Sequence, residues 1–204
     1  MHFNKTITLI KKNILRPLPG IKAHNEMLPL NRPIDISITN STHRESGVTV
    51  LLYPKFNSIY SVLIERPVYE GVHSGQIAFP GGKKENFDLN LIETALRETE
   101  EEVGIKKESI TVLGCLSTLY IPPSNYMVLP VVGYLKSLPN FILEKKEVNA
   151  IIEYDLDILH NQSLTKTKTF KGANYMVEAP YFDINGYSIW GATAMILNEF
   201  KKLF

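Results

Sequence analysis

The spacing of apolar residues predicts a helix at each end of the chain and another near its middle. Apolar side chains recur every three or four residues across 3–15, so this segment is predicted to form an amphipathic helix that RPLPG ends. The same periodicity predicts a helix over 89–103 and an amphipathic closing helix over TAMILNEFKKLF. Residues 21–46 have no clear period, and we expect an arm packed on the main domain.

Short β-branched and apolar runs between these helices predict strands. They are GVTVLLYPKF and YSVLIERP with a turn at 57–58, QIAFPGG, ITVLGCLSTLYI, MVLPVVGYL, 150–154 before a helical turn at 156–160, and the hairpin YMVEAPYFDINGYSIWG. Asn185-Gly186 supplies the hairpin turn, and Pro130 argues mildly against a central position for its strand. Because strands outnumber helices in mixed order, we predict an α+β fold or a layered αβα arrangement.

Composition narrows the class of protein. The 204 residues suit one domain with an extension, which we divide into an N-terminal helix and arm, 1–46, and a main domain, 47–204. A net charge of +1 without a basic run argues against a nucleic-acid or membrane-surface binder. Cys115 is the single cysteine and excludes a disulfide framework. With no signal-peptide pattern and no membrane-length apolar run, we expect a cytoplasmic protein.

The central helix ends in an unusual concentration of carboxylates. Glu98, Glu101 and Glu102 have the spacing of one helix side, next to the buried stripe and just before Gly104, which is predicted to end the helix. Like charges at this spacing cost about 0.2–0.5 kcal/mol per pair, and each lies at the unfavourable end of the helix dipole. A bound divalent cation would turn both unfavourable electrostatic effects into favourable ones. Carboxylate oxygens are ligands that Mg²⁺ and Mn²⁺ prefer. The alternative is a solvated acidic face.

At these residues the chain resembles the Nudix hydrolases, whose signature is G-x5-E-x7-R-E-U-x-E-E-x-G-U, with U apolar. Gly82 leads the match and RETEEEVGI completes it, with Thr99 at the first apolar position. Asp88 replaces the first acidic residue, one position further from Arg97 than in the pattern. VLIERPVYEGVHSGQIAFPGG resembles the upstream motif of the coenzyme A pyrophosphatase branch, with Pro67 for Ser and Gly71 for the second Arg.

The resemblance implies a Nudix-like αβα sandwich with a mixed sheet, and a metal site that holds Mg²⁺ or Mn²⁺. Its expected ligands are the Gly82 carbonyl and the carboxylates of Glu98, Glu101 and Glu102. Arg97 is expected to orient a glutamate through a bidentate pair. The base that activates water is left open between Glu98 and Glu101, with Glu147 from a later loop as a further candidate; otherwise Glu147 is a surface residue.

The resemblance also implies the substrate, a small-molecule nucleoside diphosphate derivative. Coenzyme A or acyl-CoA would give 3′,5′-ADP and (acyl-)4′-phosphopantetheine. The residues expected to contact substrate are Arg66, His73, Gln76, Phe79, Gly81 and Ser124. For His73 a structural hydrogen bond is the favoured alternative to substrate contact, and Ser124 is expected either to line the pocket or to shape its turn.

Two alternatives to coenzyme A stay open. One is another nucleoside diphosphate derivative, such as ADP-ribose, NADH or a dinucleoside polyphosphate, which the Gly71 replacement favours. The other is a module that senses a nucleotide without hydrolysing it. The three glutamates argue against a sensor, because a site without catalysis gains nothing that offsets the repulsion between their charges. A homodimer is also open.

Overall fold

The computed structural model describes residues 3–30, 42–67, 75–171 and 176–204. In chain order the elements are α1 Phe3–Ile14, α2 Gly20–Asn25, β1 Arg44–Lys55, β2 Ser58–Glu65, β3 Ile77–Ala78, β4 Gly81–Lys83, α3 Leu91–Val103, β5 Thr111–Cys115, β6 Leu119–Ile121, β7 Tyr126–Tyr134, β8 Ala150–Asp155, β9 Thr165–Lys171, β10 Met176–Ile184, β11 Tyr187–Trp190 and α4 Gly191–Phe200. Short 3₁₀ turns follow α3, β8 and α4.

Eight of these strands form one mixed sheet. Its main path is β3-β2-β1-β7-β5, while β4 pairs with β1, β6 with β7 and β8 with β2. β1 and β7 run parallel, and the other pairs in the sheet are antiparallel. A second, antiparallel sheet has the order β11-β10-β9. The predicted α+β class with a mixed sheet is confirmed.

The alternation of side chains along β1 places a core on each face of the large sheet. Val50 and Leu52 join a cluster with residues of α1 and α4, whereas Leu51 and Tyr53 join a second cluster with residues of α3. The sheet is therefore the middle layer of a sandwich, with α3 on one face and α1 and α4 on the other.

The strand that contains Pro130 is central, contrary to the mild objection that this proline raised. β7 pairs with β1 on one side and with β5 and β6 on the other. The β5–β6 side is interrupted at 116–118, opposite Pro130, and the Leu116 N–H donates to the Pro130 carbonyl at 2.9 Å. The interruption divides the single predicted strand at 110–121 into two.

The closing helix is more completely buried than its prediction as an amphipathic helix implies. α4 is buried from Thr193 to Phe200 on every side, including Asn198 and Glu199. It packs against α2, β10 and β11 as well as the core under the large sheet. Both its apolar and its polar residues are covered, so the helix is more buried than the spacing of its apolar residues predicted.

The N-terminal segment shares the core of the main sheet. Ile7, Ile10 and Ile14 of α1 belong to the same cluster as Val50 and Leu52. β1 begins at Arg44, and the division of the chain at residue 47 stays a prediction. No described helix is long and apolar enough to cross a membrane.

Candidate active site

Both ends of α3 are fixed by local bonds that set the direction in which its glutamates point. The Asn90 side chain accepts hydrogen bonds from the N–H groups of Ile92 and Glu93 at 2.9 and 3.0 Å, which caps the first turn. Gly104 adopts φ 73°, and its N–H donates to the Glu100 carbonyl at 2.9 Å. This left-handed end is the C-terminal cap that the sequence predicted.

α3 lies very close to β1 because Gly47 leaves room for it. A Cβ at Gly47 would overlap the Leu91 carbonyl. At this crossing the Thr49 hydroxyl donates to the Ala95 carbonyl at 3.0 Å, and the Thr99 hydroxyl lies 2.8 Å from that of Thr49. Thr99, which stands at an apolar position of the signature, is therefore a buried polar contact between helix and sheet.

Arg97 holds the loop that leads into the helix. Its Nε and Nη2 donate to the two oxygens of Asp88, each at 2.9 Å, so the bidentate partner is Asp88 and not the predicted glutamate. Asp88 also accepts from the Glu85 N–H and the Thr94 hydroxyl. Its hydrogen bonds with Arg97, above all, lower the pKa of Asp88 well below the ordinary range.

Arg97 is also an ion-pair partner for two glutamates of its own helix. Its Nη1 lies 2.9 Å from Glu98 Oε1 and 2.9 Å from Glu101 Oε2. Glu101 is exposed. The three glutamates expected to share one site are therefore divided, since Glu101 points to Arg97 at the surface.

Glu98 and Glu102 instead meet Glu147, which lies on the loop between β7 and β8. Each of the three offers a carboxylate oxygen within 4.8 Å of the others. Glu102 is 2% exposed, Glu98 is half-buried and Glu147 is exposed. We call Glu98, Glu102 and Glu147 the acidic cluster.

Strand β4 contacts this cluster through its glycines. The Gly81 N–H donates to Glu102 Oε2 at 2.7 Å, and a Cβ at Gly82 would overlap the Glu98 carboxylate. Arg66 Nη2 donates to the Gly81 carbonyl at 2.9 Å and lies 3.7 Å from Glu102 Oε1. A side chain at position 82 would fill the space between loop and helix.

The cluster carries more negative charge than its surroundings compensate. Burial raises the pKa of Glu102 to about 8; Arg66 and the Gly81 N–H oppose this rise, and the charges of Glu98 and Glu147 add to it. Burial also raises the pKa of Glu98, against the influence of Arg97. An oxygen-lined group of carboxylates with this excess charge fits a divalent cation.

The acidic cluster opens onto a groove of about 1580 Å³. Of the residues predicted to contact substrate, those that line it are Arg66, Gln76, Phe79, Gly81 and Ser124. Phe79 is otherwise a core residue, and the Ser124 hydroxyl lies 3.5 Å from the Ile121 carbonyl in its own turn. His73 lies outside the described residues.

The sequence did not point to the part of the groove formed by α2, α4 and the second sheet. Ile21, His24 and Met176 line it, and the first two lie far from Met176 along the chain. α2 has only six residues, too few for a periodic signal, and we find no pattern that would have revealed these neighbours.

Comparisons with known proteins agree with this geometry. The family model described as the NUDIX domain matches residues 43–154. A protein of Yersinia enterocolitica named "Uncharacterized Nudix hydrolase NudL" is 37% identical over 169 residues, which cover 80% of this chain and 82% of that protein. One of the same name in Escherichia fergusonii is 34% identical over 144 residues, covering 68% and 71%.

Solved structures support the fold alone. A MutT/nudix family protein from Enterococcus faecalis has a TM-score of 0.52 at 16% identity, covering 80% of this chain and 63% of its own. The MutT protein from Methanosarcina mazei Go1 has a TM-score of 0.51 at 16% identity, covering 78% and 91%. On the family match and the curated relatives together, this chain belongs to the Nudix hydrolase family.

Proposed function

We propose that this Nudix hydrolase cleaves the diphosphate bond of coenzyme A or acyl-CoA, and releases 3′,5′-ADP and (acyl-)4′-phosphopantetheine. The observation that carries the proposal is the acidic cluster, because Glu98, Glu102 and Glu147 meet at the wall of a groove that Arg66 also lines. The groove exceeds the roughly 300–1,000 Å³ of a common small-molecule pocket, which favours a large substrate. The upstream motif around Arg66 supports coenzyme A among such substrates.

Divalent metal ions generally serve Nudix hydrolases, and the residues of the cluster fit one. Glu98 and Glu102, with the Gly82 carbonyl as a further proposed ligand, would hold Mg²⁺ or Mn²⁺. When bound, the ion neutralises the negative charge that develops on the diphosphate.

The chain's own groups would orient the substrate and move a proton. Arg66, anchored on the Gly81 carbonyl, has further N–H groups to donate to a phosphate oxygen. Water attacks one phosphorus of the diphosphate, and its oxygen forms the new P–O bond. The bond from that phosphorus to the bridging oxygen breaks, and the bridging oxygen leaves with the other phosphate.

Glu147 is our proposed acceptor for the proton of that water. Its side chain makes no hydrogen bond or ion pair with a described residue, so it is free to act as base, whereas Glu98 is engaged by Arg97. Glu101, the other candidate base and ligand, stays a prediction; its ion pair with Arg97 makes it the weaker choice.

Incubation of the purified protein with coenzyme A and either Mg²⁺ or Mn²⁺ tests the proposal. We expect 3′,5′-ADP, detected by chromatography, and its loss on addition of a chelator. Absence of product with both metals would overturn the coenzyme A assignment. A Glu147→Gln variant should lose most of the turnover and keep its coenzyme A affinity.

A second candidate keeps the chemistry and changes the substrate to ADP-ribose, NADH or a dinucleoside polyphosphate. Gly71, where the coenzyme A motif has arginine, favours it. A substrate panel ranked by kcat/KM decides between the two. Cytoplasmic location and a homodimer stay predictions, which cell fractionation and light scattering would test.

A further inference from the structure

We propose that residues 20–30, which precede the matched Nudix domain, form a substrate-binding wall, and that this wall together with β10 binds the apolar acyl tail of an acyl-CoA. This inference rests on the proposed function and adds to it the part of the molecule that selects the substrate's tail. We call residues 20–30 the N-terminal wall.

The N-terminal wall is fixed on α4 by buried polar contacts. His24 Nε2 lies 2.9 Å from Glu199 Oε2, and the Gly20 N–H donates to Glu199 Oε1 at 3.1 Å. Asn198 Nδ2 donates to the Ala23 carbonyl at 2.7 Å. Because His24, Asn198 and Glu199 are all buried, these bonds are shielded from water and hold α2 in one position.

The same contacts connect the wall to the large sheet. The Ser117 hydroxyl, between β5 and β6, donates to Glu199 Oε1 at 2.7 Å, and a Cβ at Gly20 would lie 3.1 Å from that hydroxyl oxygen. At its other end the wall reaches the second sheet, where the Leu30 N–H donates to the Glu178 carbonyl at 2.9 Å. The wall is therefore joined to both sheets that border the groove.

Beside His24 and Asn25, the wall presents apolar residues to the groove, and with β10 it leaves two large ones uncovered. Ile21 is 52% exposed, and Met176 of β10 is 73% exposed, although both are large apolar residues. Further apolar residues line the groove from the same elements, namely Leu28, Pro29 and Val177. An apolar surface inside a groove marks a binding site, since covering it removes unfavourable contact with water.

The chemistry of the groove indicates which part of a ligand covers this surface. The acidic cluster, Arg66 and Gly81 provide charged and polar groups for a diphosphate, whereas Ile21 and Met176 can offer only apolar contact. A single substrate that satisfies both must join a diphosphate to an apolar tail. Among the substrates considered, an acyl-CoA has this composition; ADP-ribose, NADH and dinucleoside polyphosphates do not.

The test compares substitutions in the groove with a control substitution outside it. All of them introduce an uncharged polar side chain, so the charge near the diphosphate stays the same. The variants Ile21→Asn and Met176→Gln are matched with Leu15→Asn, a control at an apolar residue that is 79% exposed and does not line the groove. For each protein, kcat/KM is measured with Mn²⁺ for free coenzyme A and for a medium-chain acyl-CoA. Melting temperatures verify that the variants fold.

We expect the ratio of kcat/KM for acyl-CoA to that for coenzyme A to fall roughly tenfold in Ile21→Asn and Met176→Gln, mainly through KM, and to stay at the wild-type value in Leu15→Asn. Equal ratios in all four proteins would overturn the inference while coenzyme A hydrolysis stands. A wild type that cleaves neither substrate overturns the proposed function as well. If the two variants change the oligomeric state and leave the ratio unaltered, the surface is an interface between copies and the inference is wrong.

Discussion

Two buried glutamates, Glu102 of α3 and Glu199 of α4, have opposite surroundings. They are 2% and 0% exposed. Glu199 accepts hydrogen bonds from the Ser117 hydroxyl and from the N–H groups of Gly20 and Ser117, and it contacts His24. Burial acts to raise the pKa of Glu199, but the bonds to His24 and Ser117 prevail and lower it.

Glu102 has far less support. Among the described residues it accepts one hydrogen bond, from the Gly81 N–H, and its nearest cation there is Arg66 at 3.7 Å. Two further carboxylates face it, and its pKa is raised to about 8. The comparison teaches that burial alone does not identify a site: a buried carboxylate with a full set of partners is structural, whereas one without them is neutralised by a proton or by a bound cation.

The largest expected difference concerns turnover in Glu102→Gln. We expect metal-dependent hydrolysis to fall about a thousandfold, equivalent to about 4 kcal/mol, because the cation loses a buried ligand. The metal-free protein should be as stable as wild type or slightly more so, since the raised pKa of Glu102 means that its charged form is unfavourable in this buried position, and glutamine carries no charge. Initial rates and melting temperatures without metal measure both effects. A large fall in melting temperature would show that Glu102 holds the fold.

Glu199→Gln should have the opposite outcome. We expect the free energy of unfolding to fall by about 3 kcal/mol, because the change breaks a buried pair and leaves His24 without its carboxylate. Chemical denaturation of the metal-free protein measures it. The Mn²⁺-induced rise in melting temperature should persist, since Glu199 lies outside the acidic cluster. A smaller loss of stability than in Glu102→Gln would contradict the comparison.

Asp88→Asn should be destabilising by about 2 kcal/mol, through loss of the charged bidentate pair with Arg97. The folded protein lowers the pKa of Asp88, so this stabilisation is present above the unfolded value near 3.8 and is lost as pH falls towards the lower folded value. Denaturation curves at neutral and strongly acidic pH should show the gap between wild type and variant closing in acid. A gap independent of pH would mean that packing, not charge, is responsible.

Mn²⁺ affinity should rise with pH. The ion competes with the proton that a pKa of about 8 leaves on Glu102 at neutral pH. We expect affinity to increase at most about tenfold per pH unit below that value and to level off above it. Calorimetric titrations in buffers of different ionisation enthalpy measure both affinity and proton release. Glu102→Gln, which cannot release this proton, is the control.

The smallest effect is expected for Glu101→Gln, although this residue is adjacent in sequence to Glu102. Its exposed ion pair with Arg97 contributes less than about 1 kcal/mol to stability. We expect turnover within about threefold of wild type. A loss as large as that in Glu102→Gln would restore Glu101 as a ligand or base and would refute the proposed cluster.

Periodic parts of the chain could be predicted because their pattern is local. The central helix and the strands near residues 47–65 follow from the spacing of apolar residues, and Glu98 and Glu102 share a helix side at i, i+4. β9 was missed because TKTKTFK is mostly exposed on both faces and has no apolar alternation. The role of Asp88 as partner of Arg97 depends on a loop conformation that no period specifies.

Long-range pairings limit what the sequence can reveal about the site. His24 and Glu199 are 175 positions apart, and only the folded chain brings α2 to the groove. Glu147 was a candidate through resemblance, while its distance from Glu98 and Glu102 required the structure. The grouping of Glu101 with these residues rested on helix spacing alone, which does not account for the attraction of Arg97.

Anomalous diffraction from crystals soaked in saturating Mn²⁺ with coenzyme A tests the central claim most directly. The account predicts a manganese peak at the carboxylates of Glu98 and Glu102, within the acidic cluster, and the loss of this peak in Glu102→Gln. A peak at Glu101 or elsewhere, or no peak at the cluster in the wild type, would contradict it.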